Sequence, residues 1–153
     1  TAAERIFGPF YRLTVVLEEI PNAIPILQKE KTLPRSKRIE TIEKIARTVR
    51  SMHDHGIYHV DLNVKNLLLD EENNLYVIDL DRAITLDSPR TSNAKEVLAR
   101  LTRSVEKLKV PLTQSERIRF LRSYLGSSKG VPALARACLR NLWMHRIGWN
   151  LFR

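Results

Sequence analysis

The period of the apolar positions changes along the chain, and each change marks an element. Residues 10–20, FYRLTVVLEEI, form a dense run of β-branched and aromatic residues that stops at Pro21 and follows the Gly8-Pro9 turn. A run of this length between turn residues reads as a buried strand. Pro21, Asn22 and Pro25 then make a stiff connector. Over residues 36–55 the spacing becomes helical, with Ile39, Ile42, Ile45, Ala46, Val49 and Met52 on one face, Ser36 as the cap and Gly56 as the stop. Two short strands, 66–69 and 75–78, flank the acidic turn Asp70-Glu71-Glu72-Asn73-Asn74. Residues 93–108, 115–125 and 132–151 return to helical spacing. The order is strand, long helix, small hairpin, helices, which predicts an α+β fold.

Composition narrows the class. The chain has 153 residues, 43% hydrophobic and 28% charged, an ordinary globular mixture with room for one core. A single cysteine, Cys138, excludes a disulfide framework and suits a reducing compartment. No run of 18 apolar residues occurs, so no membrane span is read, and no secretory leader opens the chain. Thr1 stands where a start methionine would, so a processed or excised piece of a longer protein is expected.

The net charge of +9 is unevenly placed. Through Glu116 there are 18 Lys/Arg against 17 Asp/Glu, whereas the last 37 residues carry eight basic residues and no acid. A basic tail points to an anionic surface, nucleic acid or lipid, or else to a solvated helical face. No recognisable nucleic-acid-binding motif accompanies it, so no nucleic-acid partner is expected.

Candidate chemistry concentrates in residues 53–66, which hold His53, His55 and His59. Their spacing matches no standard zinc pattern and no cysteine joins them, which makes a zinc site the weaker reading. His59-x-Asp61-Leu62-x-x-x-Asn66 instead has the form of a kinase catalytic loop, H-x-D-L-x-x-x-N. Thirteen residues after Asn66, at the end of an apolar strand, lies Asp79, where a kinase places its metal-binding aspartate. Phosphoryl transfer needs a carboxylate to accept or orient the acceptor hydroxyl, here Asp61. It also needs oxygen ligands to hold Mg²⁺ against nucleotide phosphates, here Asn66 and Asp79. The plain alternative is that both aspartates are turn acids beside strands.

With these residues in place, the sequence resembles the lipopolysaccharide kinase family, bacterial enzymes that phosphorylate 3-deoxy-D-manno-octulosonic acid (Kdo) or heptose of the inner core. The resemblance lies in Gly8-Pro9-Phe10-Tyr11-Arg12, Leu17-Glu18-Glu19-Ile20-Pro21-Asn22-Ala23, the run from His59 to Asp70, and Ile78-Asp79-Leu80-Asp81-Arg82. More weakly it extends to Leu98-x-x-Leu101-x-Arg103-Ser104 and Phe120-Leu121-x-x-Tyr124-Leu125. Asn63 replaces the lysine usual two residues after a protein-kinase catalytic aspartate, and Asp81 replaces the glycine of D-F-G. No A-P-E run follows, so a sugar or glycolipid acceptor is favoured over a protein.

The resemblance implies an ATP-dependent kinase of protein-kinase-like fold, with Kdo of Kdo-lipid A the leading acceptor. It implies Asp61 as the catalytic residue, Asn66 and Asp79 as Mg²⁺ ligands, and Glu18 and Ile20 meeting the adenine edge through main-chain atoms. His59 would tie the loop together. Lys65 and Arg82 are either phosphate-neutralising or plain surface charges. Residues 1–20 would be the end of the N-lobe and the hinge, and 21–153 the C-lobe with basic C-terminal helices. No Gly-rich phosphate loop and no V-A-I-K-like run occurs, and only nine residues precede Phe10. A truncated fold is therefore expected, mostly C-lobe with the last strand of the N-lobe, with little activity on its own.

A glycolipid acceptor suits a cytoplasmic enzyme, peripheral on the inner face of the inner membrane. Trp143, Trp149 and Phe152 among Arg136, Arg140, Arg146 and Arg153 fit an interfacial helix, each basic residue adding about 1 kcal/mol at an anionic surface. Against this, Leu134, Cys138, Leu139, Leu142 and Ile147 make a stripe suited to packing on the lobe. The competing functional classes are another small-molecule phosphotransferase of the same fold and a non-catalytic pseudokinase module.

Overall fold

The computed structural model describes residues 2–7, 10–14, 19–29, 33–88 and 90–140. The first strand of the chain is not the run at Phe10. Strand β1 (Ala2–Phe7) precedes it and pairs antiparallel with β2 (Phe10–Thr14), with Ala2 opposite Thr14 and Phe7 opposite Phe10. The stretch expected only to lead into the fold is thus half of a hairpin. Residues 15–18, which the sequence continues as strand, lie outside the described residues, and 19–20 are not strand.

After the turn at Pro21-Asn22 come a two-residue strand β3 (Ile24–Pro25) and a single helical turn α1 (Ile26–Lys29). The long helix α2 (Arg35–Asp54) matches the periodic run, but its cap does not. Pro34 is the N-cap, with extended backbone (φ −55°, ψ 150°), and its carbonyl accepts the first helical bond from Arg38 N at 2.9 Å. Ser36 therefore sits inside the first turn. Proline has no N–H to satisfy and a fixed φ, which lets it open a helix without a side-chain cap. At the other end Gly56 stops α2 with φ +72°, as the sequence predicts.

Two antiparallel ladders are then nested. The inner one pairs β5 (Leu67–Leu69) with β6 (Leu75–Val77), Leu67 opposite Val77. The outer one pairs β4 (Ile57–His59) with β7 (Ala83–Thr85), His59 opposite Ala83. The acidic turn closes the inner hairpin: Asp70 accepts from Asn74 N (2.7 Å), Asn74 Nδ2 (2.9 Å) and the Tyr76 hydroxyl (3.1 Å). β3 pairs with the free edge of β5.

Helices α3 (Thr91–Lys107) and α4 (Gln114–Leu125) follow, and residues 131–140 are again helical. The remainder of the helix expected to Leu151, with Leu142, Trp143, Arg146, Ile147, Trp149, Phe152 and Arg153, lies outside the described residues. Leu134 and Cys138 are buried as their stripe predicts, while Leu139 is 58% exposed. Thr113 and Glu116 form a capping box at α4, and Glu116 also receives Arg38 Nε of α2 at 2.7 Å. Among the described residues no helix is long and apolar enough to cross a membrane.

The core joins α2 (Ala46, Val49) to the nested ladders (Tyr58, Leu67, Leu69) and α3 (Leu98, Leu101). Into it α2 and α4 carry a polar pair: His53 Nδ1 and the Tyr124 hydroxyl share a hydrogen bond at 2.9 Å, and His53 stacks on Tyr58 at 5.0 Å. Burial pushes the His53 imidazole down to about 4, opposed by Asp54 and aided by Arg50. Burial likewise pushes the Tyr124 phenol up to about 12. The unfolded chain takes up a proton on His53 near pH 6.5 and loses one from Tyr124 near pH 10, before the folded protein does either. Stability from this pair is therefore expected to be full between these limits. It should fall as pH drops from about 6.5 toward 4 and as it rises from about 10 toward 12. Urea midpoints across pH check this, and Tyr124→Phe should remove most of the alkaline loss.

Candidate active site

The nested ladders explain how residues far apart in sequence meet. Closing β4 on β7 and β5 on β6 leaves two connecting segments, 60–66 and 78–82, lying side by side. Ile78 N donates to the Asn66 carbonyl at 3.0 Å, which extends the inner ladder by one rung into the site. Asp61 is on one segment, Asp79 on the other, and Asn66 sits where they join.

His59 lies beneath both, completely buried. Its Nε2 lies 3.1 Å from the Ile78 carbonyl, so Nε2 carries the proton and donates it, which leaves Nδ1 the acceptor nitrogen. Nδ1 is buried with no hydrogen-bond partner among the described residues. An imidazole so placed ties loop to strand and is out of reach of solvent. The three histidines do not converge: His53 meets Tyr124, His55 Nδ1 meets the Ser51 carbonyl at 2.7 Å, and His59 meets Ile78.

The loop after His59 is held by main-chain contacts. Leu62 N donates to the His59 carbonyl, and Leu62 itself is buried. Asn63 caps the short helical turn Val64–Asn66 by accepting from Lys65 N at 2.8 Å, and its Nδ2 donates to the Asp61 carbonyl at 3.0 Å. Asn63, the residue that departs from the protein-kinase pattern, is thus a loop brace. Val64 N donates to Ser104 Oγ of α3 at 3.1 Å, pinning the loop to the helix behind it.

Asn66 is buried, and its Nδ2 lies 3.5 Å from the Asp61 carbonyl and 3.4 Å from Asp79 Oδ2. Asp79 is exposed and has left-handed backbone (φ +66°, ψ 49°). That conformation costs a non-glycine residue about 1–2 kcal/mol, and such strain clusters at functional positions. Here it turns the Asp79 carboxylate back onto Asn66 instead of letting β6 run on. The Asn66 amide and the Asp79 carboxylate are neighbours, with the amide nitrogen toward Asp79, and between them they supply hard oxygen donors of the kind that fit Mg²⁺.

The Asp61 carboxylate faces the other way. Arg82 Nη1 meets its Oδ2 at 2.6 Å and Arg100 Nη1 of α3 meets its Oδ1 at 2.7 Å. Arg82, open in sequence between phosphate and surface roles, is a partner of Asp61. Lys65 is exposed. Arg100 was not singled out by the sequence; it lies 39 residues from Asp61, and only the packing of α3 against the loop brings it there. Of the adenine-edge candidates, Glu18 lies outside the described residues. Ile20 is half-buried at the turn before β3, its carbonyl accepting from Ala23 N at 3.2 Å.

An α+β fold that brings a carboxylate, an amide and a second carboxylate onto two strapped loops has the arrangement expected of a kinase catalytic loop. Residues 1–124 match the model of the lipopolysaccharide kinase (Kdo/WaaP) family, and the chain belongs to that family. It is 35% identical over 102 residues to a 3-deoxy-D-manno-octulosonic acid kinase of Vibrio cholerae serotype O1, a match covering 65% of this chain and 41% of that protein. The corresponding kinase of Xylella fastidiosa (strain 9a5c) is 33% identical over 104 residues, covering 67% of this chain and 40% of the relative. The chain thus spans about two fifths of the length of these curated relatives. Among solved structures, WaaP in complex with acyl carrier protein is similar with a TM-score of 0.67 and 27% identity, covering 88% of this chain and 60% of that one.

Proposed function

We propose that this chain carries the catalytic loop and metal-binding strand of an ATP-dependent kinase that phosphorylates Kdo of the lipopolysaccharide inner core. The observation that carries the reading is the meeting of Asp61, Asn66 and Asp79 on the two strapped loops. The similarity to Kdo kinases supports the choice of acceptor.

In this reading residues 1–20 belong to the end of an N-lobe and its hinge, and 21–153 to a C-lobe, so that ATP lies over the loops. Glu18 and Ile20 meet the adenine edge through main-chain atoms. Asn66 and Asp79 hold Mg²⁺, which when bound offsets the charge of the nucleotide phosphates. Asp61 takes the proton of an acceptor hydroxyl. The freed oxygen forms its bond to the γ-phosphorus, the bond from that phosphorus to the β–γ bridging oxygen breaks, and ADP leaves with the electron pair. His59 does not enter this transfer, because it is buried beneath the loops. The enzyme works at the cytoplasmic face of the inner membrane, where such an acceptor is a lipid-borne sugar.

The test is direct. The full-length gene product, incubated with Mg·ATP and Kdo-lipid A, should yield a product one phosphate heavier by mass spectrometry, with the phosphate on the Kdo. Absence of that product, or phosphate found only on heptose-bearing acceptors, would overturn the reading.

A further inference from the structure

Asp61 divides the site into two sides. Its main-chain carbonyl faces Asn63 and Asn66, and through Asn66 the Asp79 carboxylate. Its side chain faces Arg82 and Arg100, one guanidinium on each carboxylate oxygen. A hydroxyl whose proton goes to Asp61 has to approach these same two oxygens, so the acceptor arrives on the arginine side and has to share or displace a guanidinium.

Arg100 is not placed as a simple ion-pair partner. Its side chain is 39% exposed, yet its Nε is buried with no hydrogen-bond partner among the described residues. A buried unmatched donor is costly. Its second fork nitrogen lies 4.0 Å from the exposed Glu96. Arg103, one turn further along α3, is held below the usual arginine range first by burial and then by the charge of Arg100. Of the basic groups on this helix it is Arg100 that meets the Asp61 carboxylate.

We infer that Arg82 and Arg100 form a clamp for the carboxylate of the acceptor, and that they make the enzyme selective for a sugar acid over a neutral sugar. The inference rests on the proposed Kdo kinase reading, whose acceptor is an octulosonic acid and so brings its own carboxylate. A planar guanidinium fork matches a carboxylate in geometry and charge. On binding, the acceptor carboxylate takes up guanidinium donors now spent on Asp61, which leaves an Asp61 oxygen open to the incoming hydroxyl. The acid itself thereby opens the base it needs. Nucleotide phosphates are the other anions in the reaction, and in the proposed reading they are met through the Mg²⁺ that Asn66 and Asp79 would hold.

The experiment compares Kdo-lipid A with its Kdo methyl ester as acceptors for the full-length gene product, wild type, Arg100→Gln and Arg82→Gln. Wild type should prefer the free acid. Each variant should raise KM for the acid by roughly 10- to 100-fold, the loss expected for a charge-assisted contact. KM for ATP should stay within about twofold, kcat should be far less affected, and the acid-to-ester preference should collapse. Arg100→Lys should restore part of it. Arg82, with its side chain 69% exposed, can be replaced without disturbing the fold even if Arg100 cannot. An unchanged acid-to-ester preference in an active variant would overturn the clamp, and a rise in KM for ATP instead would assign the arginines to the nucleotide. If wild type phosphorylates neither acceptor, the proposed function itself fails, and the clamp with it.

Discussion

Asp61→Asn in the full-length gene product is expected to lower phosphoryl transfer to Kdo-lipid A by roughly 10²- to 10⁴-fold, the contribution of a positioned general base. The denaturation midpoint should hardly move. The loop is shaped by the Asp61 carbonyl, which accepts from Asn63 and Asn66 and is untouched by the change. What the substitution removes is the charge on two ion pairs, one of them to Arg82 with 69% of its side chain exposed. Pairs this open to water contribute little, on the order of 1 kcal/mol or less. Steady-state rates and urea melts on the same preparation separate the two effects. Near wild-type turnover in Asp61→Asn would remove Asp61 from the chemistry and overturn the proposed mechanism.

The largest stability loss is expected at Gly56, where α2 turns into β4. Its φ is +72°, and a Cβ built there runs into the Leu86 main-chain carbonyl. That carbonyl cannot retreat easily, because Leu86 N donates to the Gly56 carbonyl at 2.9 Å and so fixes the two chains against each other. Gly56→Ala should therefore cost about 3 kcal/mol or more, the left-handed penalty of about 1–2 kcal/mol plus the displacement of paired backbone. Gly126 is the control. It also has positive φ, +67°, but nothing lies within 4 Å of its added Cβ, so Gly126→Ala should lose only the conformational penalty, about 1–2 kcal/mol. Equal losses at both sites would mean that the close approach to Leu86 is unimportant. Since β4 leads straight into His59 and Asp61, Gly56→Ala should also lower turnover.

Much of the fold was legible because it is local. The face of α2, the acidic turn and the hairpin strands each declare themselves within a few residues, and their bounds shift by only one or two. The elements that were missed carry no such signal. β3, β4 and β7 are two or three residues long, too short for any period, and they exist only because a partner strand is present. β1, AAERIF, does not alternate cleanly, and its pairing with β2 rather than its own pattern makes it a strand. The start of α2 was misread because Ser36 is a better cap by residue type, whereas Pro34 already has the backbone a cap needs.

The same division runs through the site. Sequence alone determined which residues are available for chemistry. His59, Asp61, Asn66 and Asp79 stand at a spacing that a loop and a tight hairpin must bring together, because the chain between them is too short to go elsewhere. Only the tertiary structure decided which way each side chain is turned and what it meets. The outer β4–β7 ladder lays the two loops side by side, a left-handed residue bends Asp79 back to Asn66, and α3 delivers Arg100 to the far side of Asp61. Local spacing encodes contacts across a few residues. Contacts across 39 residues, such as that of Arg100 with Asp61, depend on how the core packs, and no short motif records that.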